Sequence, residues 1–164
     1  MKTNMMKIDE SEPEKKYMLD TNVFNHFLDG KITLEQLSGH ELFATHIQRD
    51  ELEQTRSSER RSQLLSVFQS IEPKISSTAT TVWGISKWGL AKYGDDDGVY
   101  EALLKRIREL DEKFSKNKKF PENQSKDALI AETAIREGLI LVTNDRSLTI
   151  ASKENGCQVE DLKN

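Results

Sequence analysis

Apolar residues in this chain fall into two kinds of pattern, short continuous runs and longer periodic stretches. The short runs are typical of buried strands, and they lie at residues 17–19, 42–44 and 139–142. Elsewhere apolar side chains recur every three or four residues, most clearly from Val99 to Phe114, which indicates amphipathic helices. This alternation of strands and helices predicts an α/β fold with a mainly parallel sheet.

Local signals place the ends of the early helices. Thr21 or Asn22 is suited to cap the first helix, so Asp20 is not required for that role. Residues 45–48 have the spacing of a capping box, which predicts a helix there with Glu51 in its second turn.

The second half of the chain is less regular. Residues 75–82 are rich in Ser and Thr and are expected to be extended. The polar stretch 115–125 is expected to be a loop, followed by a helix that carries Asp127 in its first turn. Residues 157–159 are predicted to form an edge strand.

The composition predicts a single domain. The chain has 164 residues and a net charge of −4, so nucleic-acid binding would have to depend on local basic patches. Residues 1–16 are polar and are predicted to be a flexible leader, followed by one domain over residues 17–164. Because no stretch has the length of a membrane span and the N-terminus lacks a signal-peptide core, we expect a soluble cytoplasmic protein without membrane contact.

Carboxylates at the ends of apolar elements are the most informative feature. Asp20 and Asp145 each follow directly on a predicted strand, while Asp127 and Glu51 lie on predicted helices. In open parallel sheets, ligands collect at the carboxyl ends of the strands. Carboxylates converging there, with no lysine or arginine in the motifs to neutralise them, would repel one another unless a cation lay between them. The set therefore predicts a Mg²⁺ or Mn²⁺ site and phosphate chemistry.

Each of these acids, taken alone, also has a structural explanation. Asp145 is equally suited to cap the following helix, and Asp127 would favour the dipole of its own helix. Glu51 has Asp50 and Glu53 as neighbours, so an ordinary solvated helix face would also explain it. Only the combination of the four favours a metal site.

The same segments resemble the motifs of PIN domains, a family of metal-dependent nucleases that includes the VapC-type toxins. The segments are Leu19-Asp20-Thr21-Asn22, Asp50-Glu51-Leu52, Lys126-Asp127-Ala128-Leu129-Ile130-Ala131 and Leu141-Val142-Thr143-Asn144-Asp145. The resemblance implies a Rossmann-like three-layer α/β/α sandwich and endoribonuclease activity with Mg²⁺ or Mn²⁺. It assigns the catalytic, metal-binding acids to Asp20, Glu51, Asp127 and Asp145, with the hydroxyl of Thr143 supporting them.

Further residues are assigned by position. Asn22 is a second expected support for the acids. The expected substrate contacts are four basic residues near the last two motifs, Lys116, Lys118, Lys119 and Arg146. The lysines would otherwise belong to a solvated loop, and Arg146 would otherwise pair with a nearby acid. The expected partners are an RNA substrate, an antitoxin-like regulator and a second copy of the chain, with Trp83 and Trp88 as anchors of that dimer.

The predicted function is a metal-dependent endoribonuclease, acting as the toxin of a toxin–antitoxin pair. The segment 73–124 is longer than a compact toxin of this type needs, which leaves the pairing with an antitoxin open. An aspartyl-phosphate phosphatase also places an aspartate after its first strand, but it requires a second acid where this chain has Asn22. The remaining alternative is a catalytically silent PIN-fold module that serves as a binding scaffold.

Overall fold

The computed structural model describes residues 13–78, 80, 98–114 and 120–163, and its sheet consists of five strands that are all parallel. The strands are β1 (Lys16–Leu19), β2 (Glu41–Ala44), β3 (Lys74–Ile75), β4 (Ile140–Val142) and β5 (Val159–Glu160). They lie in the order β3-β2-β1-β4-β5. The strand order therefore reverses between β1 and β4, and in sheets of this kind the ligand crevice opens at the carboxyl ends of such a pair.

The described residues contain seven helices that cover both faces of the sheet. They are α1 (Thr21–Leu28), α2 (Leu34–Leu37), α3 (His46–Glu53), α4 (Ser58–Ile71), α5 (Val99–Phe114), α6 (Pro121–Glu137) and α7 (Arg146–Glu154). Met18 of β1 packs into a core that contains residues of α5, α6 and α7. Its neighbours Tyr17 and Leu19 point to the opposite face and pack with residues of α1 and α4. The predicted three-layer α/β/α sandwich is confirmed.

Several predicted boundaries agree with the structure. The helix over Val99–Phe114 has the predicted ends, and Gly138 closes α6 in the left-handed conformation that favours glycine. The capping box is present at the start of α3, where Gln48 Oε1 accepts the backbone N–H of Thr45 at 2.9 Å. Glu51 therefore lies in the second turn of α3, as predicted.

Three predicted boundaries are wrong. Helix α6 begins at Pro121, because proline suits the first helical position, where its missing N–H would have no partner. Residues 121–125 are therefore helical rather than part of a loop, and Asp127 lies in the second turn, not the first. Asp20 itself caps α1, in place of Thr21 or Asn22. Strand β5 is an edge strand as predicted, but it begins at Val159, two residues later than expected.

Some predictions concern residues that the structure does not describe. They include the leader up to residue 12, the tryptophan pair Trp83 and Trp88, and the lysines Lys116, Lys118 and Lys119. Of the stretch 75–82, Ile75 lies in β3 and Thr78 forms an isolated bridge. None of the helices in the described ranges is both long and apolar enough to cross a membrane.

Candidate active site

Asp20 forms hydrogen bonds that connect the ends of β1 and β4, the two strands between which the strand order reverses. Its backbone N–H continues the pairing of β1 with β4 by donating to the carbonyl of Val142 at 3.0 Å. Its side chain is only 4% exposed, and Oδ2 accepts the hydroxyl of Thr143 at 2.8 Å. Oδ1 accepts the backbone N–H of Thr21 at 2.8 Å, which caps α1. A nearly buried carboxylate therefore lies at the mouth of the crevice.

Helix α3 is fixed against β1 by a buried glutamine. The Gln48 amide accepts the N–H of Thr45 through its oxygen and donates to the carbonyl of Leu19 at 3.0 Å through its nitrogen. Because Leu19 directly precedes Asp20, this contact sets the position of the next helical turn relative to that carboxylate. The capping-box spacing was visible in the sequence, but the bond to β1 was not, since it joins residues far apart in the chain.

Glu51 is the carboxylate that α3 brings next to Asp20. Its pKa is raised from 4.5 to about 7, first because its side chain is buried and second because the negative charge of Asp20 lies nearby. The ammonium group of Lys126 acts in the opposite direction and lowers this pKa. Glu51 and Asp20 therefore form a pair of like charges in a poorly solvated place.

The two acids near Glu51 in the sequence, Asp50 and Glu53, lie on another face of the same helix. Asp50 and Glu53 line a separate cleft of about 780 Å³ between α3 and α4, together with Arg49. Glu53 is paired with Arg49 at 3.2 Å, and both side chains are well exposed. The 3.6-residue helical repeat turns residues 50 and 53 to one side and residue 51 to another. Glu51 is electrostatically coupled to Asp20.

Thr143 connects the acids that follow β1 and β4. This buried residue donates its hydroxyl to Asp20, and the same oxygen accepts the backbone N–H of Asp145 at 3.1 Å. Asp145 also caps α7, since its Oδ1 accepts the N–H of Leu148 at 2.9 Å. The capping explanation for Asp145 thus applies, and it holds together with a place beside Thr143.

Lys126 is the site residue that sequence reasoning missed. It lies inside the motif that contains Asp127, so the prediction that the motifs hold no lysine or arginine to neutralise the acids is wrong. Its side chain is 6% exposed, and its ammonium lies 3.3 Å from Glu122 one turn earlier on α6. The spacing of Glu122 and Lys126 is the signal that could have identified it, once the helix was known to begin at Pro121. Asp127 itself is half-buried in the second turn of α6.

The other predicted residues have mixed positions. Asn22 is exposed, and its side-chain amide makes no hydrogen bond with any residue the structure describes. Arg146 is exposed as well, and its guanidinium lies over the ring of Phe114. The three predicted lysines at positions 116, 118 and 119 lie outside the described residues.

The donor chemistry of the site fits a hard divalent cation. Asp20 and Glu51 offer carboxylate oxygens, and a cation between them would relieve the repulsion that raises the pKa of Glu51. Across the described ranges, however, no three His, Cys, Asp or Glu side chains are grouped so that they could hold a metal. The convergence of Asp20, Asp127 and Asp145 on one ion therefore stays a prediction.

Several solved structures are similar to this chain over most of its length. VapBC-1 from nontypeable Haemophilus influenzae has 17% identity and a TM-score of 0.49, with 89% of this chain and 97% of that chain covered. VapBC2 from Rickettsia felis, bound to a promoter DNA fragment, has 18% identity and a TM-score of 0.46, with 88% and 97% covered. A domain of a functionally unknown protein from Methanocaldococcus jannaschii has 17% identity and a TM-score of 0.48, with 92% of each chain covered.

Each of these similarities extends over at least 88% of this chain. No protein-family model and no curated protein matches the sequence. All three structures are similar to this chain at low identity.

Proposed function

We propose that this protein is a metal-dependent endoribonuclease of the cytoplasm that acts as the toxin of a toxin–antitoxin pair. The observation that carries the proposal is the electrostatically coupled pair of Asp20, which is buried, and Glu51, which is partly buried, at the carboxyl edge of the sheet beside the reversal of strand order. Burying two like charges together is costly unless a cation binds them. An open crevice with such a pair is suited to a divalent ion and a phosphate group.

In this proposal each acid has a distinct role. Asp20 and Glu51 would hold Mg²⁺ or Mn²⁺, and Asp127 on α6 and Asp145 after β4 would supply further oxygens. Such a metal supplies a water with lowered pKa and offsets the charge that develops on the phosphate. Thr143 holds the carboxylate of Asp20 in place through its 2.8 Å hydrogen bond.

Lys126 gives the site a cation of its own. Its buried ammonium lowers the pKa of Glu51, so part of the negative charge is balanced before any metal binds. The motif resemblance supports an antitoxin-like regulator and a homodimer as partners, and both belong to the same proposal. The regulator would have to cover this crevice in order to silence the enzyme.

A catalytically silent binding module is the second candidate. It is favoured by the capping bonds of Asp20 and Asp145, which give both acids a structural role, and by the internal cation Lys126. In that case the fold would present surfaces to partners, and the acids would only stabilise helix ends.

The substitution Asp20→Asn distinguishes the two candidates. It keeps the shape of the side chain and an oxygen that can cap α1, but it removes the negative charge. We expect cleavage of a panel of single-stranded and structured RNAs to require Mn²⁺ or Mg²⁺ and to stop with chelator. In Asp20→Asn the rate should fall about 100-fold or more, the usual loss for a preorganised electrostatic contact.

Asp50→Asn provides the matched control, because it makes the same change in the cleft on the other side of α3. This variant should cleave like the wild type, and melting curves should show that both variants fold. Undiminished activity in Asp20→Asn would place the chemistry elsewhere or in a contaminant. Absence of cleavage by the wild type across the panel would favour the binding module.

A further inference from the structure

Helices α5 and α7 are joined by two arginine contacts of different kinds. Arg106 of α5 forms an ion pair with Glu154 of α7, with 2.8 Å between Nε and Oε2. Arg146, the first residue of α7, lies instead over the ring of Phe114 at the end of α5, with its guanidinium carbon 3.9 Å from the ring centroid. No carboxylate in the described part of the chain pairs with Arg146. The predicted alternative of an ion pair is therefore not what the structure shows there.

The N–H donors of Arg146 are available, because no hydrogen bond or ion pair within the described residues engages its guanidinium over Phe114. A guanidinium that covers a ring directs its face at the ring, while its N–H donors lie in its own plane and point sideways. That planar fork matches two oxygens of a phosphate. The Arg146 side chain is exposed, so a solvent-borne phosphate has access to it.

A second positive charge lies on the same ring. The ammonium of Lys113 is 5.4 Å from the centroid of Phe114. Lys113, Phe114 and Arg146 are called the Phe114 cluster below. On a chain of net charge −4, a patch with two cations on one aromatic ring is a local basic feature of the kind that nucleic-acid binding would require.

The Phe114 cluster is connected to the carboxylate site through the chain itself. Arg146 directly follows Asp145, whose backbone N–H binds Thr143, and Thr143 binds Asp20. We infer that the Phe114 cluster is a phosphate subsite, where Arg146 binds a backbone phosphate of single-stranded RNA beside the carboxylates and Phe114 is its positioning residue. The inference rests on the proposed nuclease function and adds to it where the strand lies.

The test measures RNA affinity and its dependence on salt. Fluorescence anisotropy of a labelled single-stranded RNA of mixed sequence is recorded with Asp20→Asn protein, in which cleavage is disabled, at salt concentrations upward from about 50 mM. In that background, Arg146→Gln should weaken binding roughly tenfold at low salt. It should also reduce the slope of log affinity against log salt by about 0.7, the value for one phosphate contact on a single strand.

Arg106→Gln is the matched control, because it removes the same charge from the same pair of helices at the Glu154 ion pair. Its slope should stay at the parent value and its affinity within about twofold, as expected for a charge that contacts no phosphate. Phe114→Tyr keeps the ring and should bind like the parent. Phe114→Leu should lose several-fold in affinity, with melting curves recorded for each variant because Phe114 also packs on the core.

The possible outcomes distinguish a failure of the phosphate subsite from a failure of the proposed nuclease function. Equal losses in Arg146→Gln and Arg106→Gln would mean a general field effect and would overturn the inference, even if the wild type cleaves RNA. A slope reduced only in Arg146→Gln, with no cleavage by the wild type, would sustain the subsite and remove the nuclease proposal. If the wild type and the Asp20→Asn parent bind no RNA at any salt concentration, both the inference and the RNA substrate are wrong.

Discussion

Helix α3 separates two acidic regions that differ in electrostatic environment. On one side Glu51 lies beside Asp20 in a poorly solvated place, and its pKa is raised to about 7. On the other side Asp50 and Glu53 line an open cleft, where Glu53 is paired with Arg49. The two regions contain the same residue types within one turn of each other. What distinguishes the candidate site here is the coupling of Glu51 to the buried carboxylate of Asp20, not the number of acids.

Dielectric screening explains why the same charges behave differently on the two sides. Two unit charges 4 Å apart interact by about 1 kcal/mol in water, and by several times more where water is largely excluded. In the cleft, solvent and Arg49 balance the acids at small energetic cost. Beside Asp20, the repulsion is stored in the folded state, and a cation or a proton relieves it.

The largest effect is expected on catalysis. Glu51→Gln removes a charge from the buried pair and should reduce metal-dependent RNA cleavage roughly 10- to 100-fold, as expected for a group that helps to hold a metal. Glu53→Gln makes the same chemical change in the cleft and should leave the rate within about twofold, because Glu53 is an exposed rim residue. Rates are compared under single-turnover conditions with saturating Mn²⁺. Equal rates for the two variants would remove Glu51 from the site.

The second effect is on the pH dependence of stability without metal. Because the pKa of Glu51 is raised, the folded state binds more protons than the unfolded state between pH 4.5 and about 7. The contribution of Glu51 to the free energy of unfolding is therefore fully present below pH 4.5 and is lost as the pH rises to 7. The raised pKa of Glu51 corresponds to a change of roughly 3 kcal/mol in the free energy of unfolding for a fully buried group. After allowance for the remaining solvent screening, the expected change is about 2 kcal/mol.

Glu51→Gln checks this sign directly. The variant and the wild type should unfold at similar denaturant concentrations near pH 4.5, whereas at pH 8 the variant should be the more stable by about 2 kcal/mol. Urea titrations in chelator-treated buffer measure the difference. A constant gap between the two proteins from pH 4.5 to 8 would show that Glu51 is not a strained carboxylate.

Much of the fold could be predicted because its signals are local. The apolar runs gave β1, β2 and β4, and the three- and four-residue periodicity gave α5 with its ends. The capping-box residues Thr45 and Gln48 located the start of α3. Each of these signals depends on neighbours within one or two turns, where steric and hydrogen-bonding preferences act strongly.

The errors arose where one residue has two roles or where a contact joins distant segments. Asp20 both caps α1 and accepts the hydroxyl of Thr143, and the capping role was wrongly assigned to its neighbours. The first turn of α6 is polar and was predicted to be part of a loop, although Pro121 is well suited to the first helical position. The effect of the Lys126 charge on Glu51 follows only from the position of α6 in the fold. Such tertiary coupling leaves no period in the sequence.

A third effect is expected when metal binds. Millimolar Mn²⁺ that binds only the folded protein at ten times its Kd should stabilise it by about 1.4 kcal/mol, or roughly 3–5 °C in Tm. Asp145→Asn should weaken this response, because it removes one of the predicted ligand charges at the crevice. Asp50→Asn, in the cleft, should retain the full shift. A wild-type Tm that does not move with millimolar Mn²⁺ or Mg²⁺ would contradict a shared metal site.

The smallest effect is expected from the cleft side of α3. The ion pair between Arg49 and Glu53 joins side chains that are 62% and 47% exposed, so solvent screens their attraction and little is lost when it is broken. Glu53→Gln should change the free energy of unfolding by at most about 0.5 kcal/mol at pH 7, with any difference disappearing in high salt. Urea titrations at low and high ionic strength measure both quantities. A loss of 2 kcal/mol or more would mean that the cleft holds its charges in a water-poor environment, as the site beside Asp20 does, and the contrast between the two faces would fail.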